Sequence, residues 1–397
     1  MIKFDFQTFT KSFINIDEYN DILNKKNDYI KKLKECSMTG WLEAPDKDVI
    51  TDIKITSKYI KDNFNCLIVV GIGGSYLGSY AFDSIFKSYF NNNNFEVIYA
   101  GTTLSSKYLH ELSKYIQNKN VCLYVISKSG STLETSITYK FLKDELKRKY
   151  KEEELKNRII LCTNDSNGKL FDESIKYKYK TFTFPKNIGG RYSFMTPAHL
   201  LPLSLNYNLD EIIEGYLEGQ KLYDVAFEYA TTRFMLFKQK KYIENFCVYE
   251  ENLGPFTEWL KQLFAETEGK NGKGVFPVST INTRDLHSLG QFIQEGNKII
   301  FETFIKVANS DDFVEYQKKE LQTINNIVLE SVINAHYKGG VPILQIELTD
   351  LDYETISTLM FFFMLSAAFS ALLFEVDPFN QPGVEVYKSE VKKKFNN

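Results

Sequence analysis

The sequence predicts an α/β protein built as two parallel-sheet α/β/α sandwich domains packed together with peripheral helices, and three observations point to it. Short runs of β-branched and apolar residues alternate with helical stretches, the pattern of a parallel sheet covered on both faces. That alternation stops over residues 200–240, which read as helical throughout, and then begins again. At 397 residues the chain is long enough to give each half its own core.

Residues 1–60 carry helical periodicity rich in Lys and Asn, broken at Gly40–Pro45, and predict helices packing on the first domain. Residues 61–199 form that first α/β domain, with strands expected at 65–70, 96–100, 121–126, 158–162 and 181–184. Helices are expected between them at 76–90, 107–117 and 137–150. A helical connection over 200–240 leads to a second α/β domain, 241–376. Its expected strands lie at 245–250, 274–278, 298–306 and 342–348, with helices at 256–267, 313–330 and 355–374. Residues 377–397 close the chain with a Pro- and Gly-containing segment and a charged helical tail. Thr355–Phe374 is uncharged for twenty residues, about the length of a membrane span. Acidic Glu375 and Asp377 follow it, and a helix apolar all round also suits the centre of a large soluble protein, so a buried core helix is expected and no membrane.

A net charge of −3 argues against nucleic-acid partners, which call for a concentrated basic face. The five cysteines show no C-x-x-C pair, and four of them (Cys66, Cys122, Cys162, Cys247) sit in strand-like apolar runs. They read as reduced small hydrophobes of a cytoplasmic protein. The first residues, Met1–Phe6, resemble neither a signal nor a transit peptide.

Two turns lie where strands give way to helices. Gly71-Ile-Gly-Gly-Ser75 lets a ligand approach the backbone. Ser127-Lys-Ser-Gly-Ser-Thr132 aims hydroxyls and amides toward a helix start, where an anion such as phosphate is welcome. Ser131-Thr-Leu-Glu134 also fits a capping box, so the second turn reads equally as an ordinary helix start. A dinucleotide fingerprint fails because Tyr76 stands at the third glycine, and a P-loop fails because Asn271 follows Gly269-Lys270. Gly189-Gly190-Arg191 strips backbone from around a guanidinium, which suits ligand contact or a plain surface turn. Gln262 and Glu266 share one helix face, and Glu266 lies in the last turn, where the helix dipole opposes its charge. That placement suits a general base, although a surface carboxylate has the same periodicity. Of the four histidines, His110 reads as solvated, His199 as packed and His336 as a helix C-terminal cation. His287, in a polar junction, is the candidate for proton transfer. None has metal-ligand spacing, and neither a metal nor another cofactor is expected.

These segments resemble the glucose-6-phosphate isomerase (phosphoglucose isomerase) family at its short bacterial end. They are Gly71–Ser75, Ser127–Thr132, Ile188-Gly-Gly-Arg-Tyr-Ser193, Gln262–Lys270, Asp285-Leu-His-Ser288 and Gln381-Pro-Gly-Val-Glu-Val-Tyr-Lys388. The resemblance implies two sugar-isomerase (SIS) domains. It also implies reversible conversion of glucose 6-phosphate to fructose 6-phosphate through a cis-enediol, in glycolysis and gluconeogenesis. Glu266 would move the proton between C2 and C1. His287, oriented by Glu134, would open the ring with Lys388, and Arg191 would stabilise the enediolate. Ser127, Lys128, Ser129 and Thr132 would hold the phosphate, and Gly74, Ser75, Gln262 and Gln381 would line the pocket. It further implies a homodimer in which His287 serves the partner's site. One departure is Thr267-Glu268, where the family commonly has Ser-Asn; the second carboxylate puts the pH optimum in question. Dual specificity for mannose 6-phosphate, or a sugar-phosphate sensor without chemistry, are the competing readings. Retention of Glu266, His287, Arg191 and Lys388 together speaks against the sensor.

Overall fold

The computed structural model describes residues 1–90, 94–310 and 312–395. The chain divides into two compact units, one of residues 37–213 and one of residues 1–36 with 214–397. The first strand, β1 (Ile2–Phe9), belongs to the latter.

In the unit 37–213, β2 (Cys66–Val70), β3 (Glu96–Ala100), β4 (Val121–Ile126), β5 (Ile159–Thr163) and β6 (Lys180–Thr183) form one sheet in the order β3-β2-β4-β5-β6. Every pair is parallel. Strands β2 and β4 are buried at every position, as continuous Val/Ile/Leu runs require when helices cover both faces. Val121, Leu123 and Val125 pack with Leu112 and Ile116 of helix Ser106–Ile116 and with Leu142 and Leu146 of helix Leu133–Lys147. On the opposite face the Tyr124 hydroxyl donates to the Pro197 carbonyl at 2.7 Å. Numbered within the unit, the strand order is 2-1-3-4-5. It reverses direction between β2 and β4, the switch point at which such sheets hold their ligands.

The second unit carries β7 (Ile243–Val248), β8 (Phe276–Ile281), β9 (Ile300–Val307), the short hairpin β10 (Glu315–Tyr316) and β11 (Lys319–Glu320), and β12 (Ile343–Leu348). Its main sheet runs β1-β12-β9-β7-β8, all parallel except β1. Without β1 and the hairpin the order is again 2-1-3-4. Thr355–Phe374 lies almost wholly in helix Tyr353–Leu373, started by the Asp352 side chain accepting from the Thr355 amide at 2.6 Å. It is long and apolar enough to cross a membrane, and 89% of its apolar window is buried in the protein. It packs against helices Tyr223–Lys238 and Gly254–Glu268, so it is the core helix that its composition predicts.

The domain limits differ from the expectation in two places. Residues 1–60 do not all attach to the first α/β unit: 1–36 join the second, and its first element is a strand. Ile2, Phe4 and Phe6 alternate with Lys3, Asp5 and Gln7, a two-residue period. Phe4 and Phe6 pack on Phe362 with ring centroids 4.7 and 6.3 Å apart. The helical stretch 200–240 is also divided, with 214 onward belonging to the second unit. Within 313–330 the hairpin β10–β11 precedes the helix, which runs Leu321–Lys338.

Candidate active site

Both predicted turns leave the carboxyl ends of the neighbouring strands β2 and β4, at the switch point. After β4 the Ser127 amide donates to the Cys162 carbonyl (3.0 Å), and Thr163 Oγ1 donates to the Ser127 carbonyl (2.8 Å). These bonds pin the turn to β5. The Gly130 amide bends back onto Ser127 Oγ at 3.1 Å, with Gly130 at φ +65°, a conformation that favours glycine. The hydroxyls of Ser127 and Thr132 lie 3.3 Å apart, and those of Ser129 and Thr132 3.5 Å apart. Three hydroxyls therefore cluster at the first turn of helix Leu133–Lys147, where free amides and the helix dipole favour an anion.

The capping-box reading fails at this turn. Thr132, one residue beyond Ser131, is the N-cap, and the Ser131 amide is taken by Ser129 Oγ at 3.3 Å. Glu134, in the first turn of the helix, is thus not the partner of that amide. Lys128 is turned elsewhere: its ammonium donates to the carbonyls of Lys186 (3.1 Å) and Ile188 (2.8 Å), and burial lowers its pKa. It braces the loop that leads to the arginine turn.

The arginine turn, Gly190–Tyr192, meets the glycine turn Gly73–Ser75 backbone to backbone. A Cβ on Gly74 would lie 2.3 Å from the Gly190 carbonyl carbon, so no side chain fits there. Trp41 is buried and stacks on Tyr192 with ring centroids 4.9 Å apart, backing Arg191, itself buried. Gly74, Ser75, Arg191 and the phosphate turn thus belong to one unit.

In the other unit, helix Gly254–Glu268 carries Gln262 and Glu266 one turn apart, and Gln262 Nε2 donates to Glu266 Oε1 at 3.1 Å. Gln262 Oε1 is buried without a hydrogen-bond partner among the described residues. Glu268 points away from this pair. Two positions along a helix turn it to the opposite side, where it is buried against Arg233 (Nη2–Oε1 2.6 Å) and accepts from Ser370 Oγ (2.6 Å). The same guanidinium holds buried Glu244 at 2.7 Å. The second carboxylate is therefore a core group paired with an arginine, with its charge directed away from Glu266. Lys270 Nζ donates to the Thr267 carbonyl at 2.8 Å, capping the helix, and also to the Asp377 carbonyl. This ties the start of the C-terminal segment to the helix end that carries Glu266. That segment leads through Gln381 to helix Pro382–Phe395, where exposed Lys388 donates to Glu385 at 2.9 Å.

His287 ends the turn Arg284–His287 that follows β8 and is exposed. Asp285 fixes this turn by accepting from the Ile281 amide at 2.8 Å, and the neighbouring Arg284 holds its carboxyl below the usual range. Helix Gly254–Glu268 enters β8 at its amino end, whereas His287 leaves its carboxyl end. Six residues of strand, about 16 Å, separate the two ends. Within one chain Glu266 and His287 lie at opposite ends of the sheet.

His110 is exposed. His336, in the last turn of its helix, is buried with Nδ1 2.6 Å from Glu302 Oε2, so it is packed into the core and not simply placed at a helix end. Burial raises the pKa of Cys66, Cys122, Cys162 and Cys247, and all five cysteines are unbridged, as expected of packed thiols.

A 2-1-3-4-5 parallel sheet with a hydroxyl turn and a bare glycine turn at its switch point defines a class, the doubly wound α/β proteins that bind ligands at the carboxyl ends of their strands. Comparison with known proteins narrows it. The sequence profile described as phosphoglucose isomerase matches residues 47–330. The chain is 39% identical to the glucose-6-phosphate isomerase of Mycoplasmopsis pulmonis, covering 95% of this chain and 94% of that one. It is 36% identical to the glucose-6-phosphate isomerase of Staphylococcus epidermidis, covering 95% and 91%. Among solved structures, a hypothetical protein of Thermus thermophilus aligns over all of both chains with TM-score 0.88 and 23% identity. A glucose-6-phosphate isomerase of Chlamydia trachomatis aligns over 88% of this chain and 73% of that one with TM-score 0.78 and 18% identity. The structural likenesses concern the fold. The chain belongs to the phosphoglucose isomerase family.

Proposed function

We propose that this protein interconverts glucose 6-phosphate and fructose 6-phosphate by ring opening and proton transfer through a cis-enediol. The phosphate sits on the hydroxyls of Ser127, Ser129 and Thr132, with Lys128 supporting the adjoining loop. Gly74, Ser75, Gln262 and Gln381 line the sugar, and the buried acceptor Gln262 Oε1 suits a substrate hydroxyl. Glu266 removes the proton at C2 and returns it at C1, while its hydrogen bond from Gln262 fixes the carboxylate. Arg191 stabilises the negative charge of the enediolate. His287 opens the ring with Lys388, and Glu134 orients the imidazole.

The observation that carries the base assignment is the Gln262–Glu266 pair, with the rival carboxylate Glu268 directed into the core. The placement of Glu266 before β8 and of His287 after it supports a homodimer in which His287 serves the partner's site, and the protein is proposed to act in the cytoplasm. The strand that lies between the helix end of Glu266 and the turn of His287, about 16 Å long, is what favours a histidine supplied by the partner. The test is turnover of fructose 6-phosphate by wild type and Glu266→Gln. The variant is expected to bind fructose 6-phosphate and lose about 10³-fold or more in kcat. Unchanged turnover would remove Glu266 as the base.

A further inference from the structure

His199 is nearly wholly buried, 1% exposed, and both of its ring nitrogens are engaged in the wall of the candidate site. Nδ1 accepts from the Ser79 amide at 3.0 Å. That amide lies in the first turn of helix Leu77–Phe86, where backbone donors have no partner within the helix. Because Nδ1 accepts, the proton of the neutral ring resides on Nε2. Nε2 faces the Gly74 carbonyl at 2.9 Å and Ser193 Oγ at 3.0 Å. The Ser193 hydroxyl in turn lies 2.6 Å from the Gly190 carbonyl and 3.0 Å from that of Gly74. One imidazole and one hydroxyl therefore join the glycine turn, the arginine turn and a helix start. Gly78 leaves room for the ring, since a Cβ there would lie 3.3 Å from Nδ1 and Cε1.

We propose that His199 is a positioning residue for the reaction: as a neutral Nε2–H donor it locks the turn of Gly74 to the turn of Arg191 and so sets where the guanidinium stands. The proposal rests on the isomerase reading given above. The lock has no bond to Ser127–Thr132, so it governs the placement of Arg191 and not the phosphate grip. Its loss is felt in the chemical step, where a displacement of about 1 Å can cost up to 10²-fold.

The test compares wild type, His199→Leu and His199→Gln in kcat and KM for fructose 6-phosphate, well below each melting temperature. For His199→Leu the expected result is a fall in kcat of about ten-fold or more with KM changed less than about three-fold. His199→Gln, which keeps a side-chain N–H donor, is expected to recover most of the loss. A folded His199→Leu with wild-type kcat would overturn the proposal. If that variant does not fold, Ser193→Ala provides the second reading, because it cuts the same bridge without emptying the core. It is expected to lower kcat with KM held, and an unchanged kcat would overturn the proposal. Nitrogen NMR of the imidazole separates this test from failure of the isomerase reading. A neutral Nε2–H tautomer at pH 6 is expected whatever the substrate, and an Nδ1–H tautomer would overturn the lock by itself.

Discussion

The two units share a strand order but are equipped differently. In residues 37–213 the candidate groups are mostly backbone and hydroxyls at one switch point, between β2 and β4, with the guanidinium of Arg191 beside them. In the other unit they include the acid and base candidates, which lie on either side of one strand: Glu266 before β8 and His287 after it. Holding an anion needs preorganised donors at one point, which a strand-to-helix turn supplies. Moving protons needs separate acids and bases whose surroundings are set independently. The supports differ in the same way. A neutral histidine braces the first unit's wall, whereas a buried arginine with two carboxylates anchors the base helix of the second.

That contrast can be broken at its parts. The largest effect on turnover after that of Glu266→Gln is expected from Arg191→Met, which removes the fixed cation and should lower kcat about 10²- to 10³-fold in steady-state assays, with the phosphate turn left whole. Arg233→Met is next. It leaves Glu244 and Glu268 buried without their counter-charge and should cost roughly 3–5 kcal/mol in denaturant unfolding. A loss below about 1 kcal/mol would show that the network anchors nothing.

A smaller effect should follow from His199, whose pKa burial lowers from the usual 6.5 to about 4. Between those values the unfolded chain binds more protons than the native one. Stability therefore falls as pH drops from 6.5 toward 4, by on the order of 3 kcal/mol from this group. His199→Gln should lack that part of the slope in unfolding measured against pH.

Much of this was legible in the sequence because the signals are local. Continuous apolar runs mark β2 and β4, and glycine and serine clusters mark the turns after them. A twenty-residue run without charge, Thr355–Phe374, marks most of the helix Tyr353–Leu373. What escaped depends on distant partners. The alternation of Ile2, Phe4 and Phe6 was visible, but its partner β12 lies more than three hundred residues on, beyond any local pattern. Glu268 reads as a neighbour of Glu266 along the chain, and only the helix and Arg233 show that it faces away. His199 reads as packed, which is correct, yet packing hides the two bonds that make it a brace. Lys128 reads as a phosphate ligand, but its ammonium is spent on carbonyls about sixty residues away.

The central proposal is that Glu266 and His287 of different subunits serve one reaction; in one chain the first precedes β8 and the second follows it. Mixing Glu266→Gln with His287→Gln, after unfolding and refolding them together, tests it directly. Each variant alone should be nearly inactive. In an equal mixture, half of the dimers should pair unlike chains, and each should hold one site with both residues intact, restoring about a quarter of wild-type turnover. A mixture no more active than its components would contradict the account.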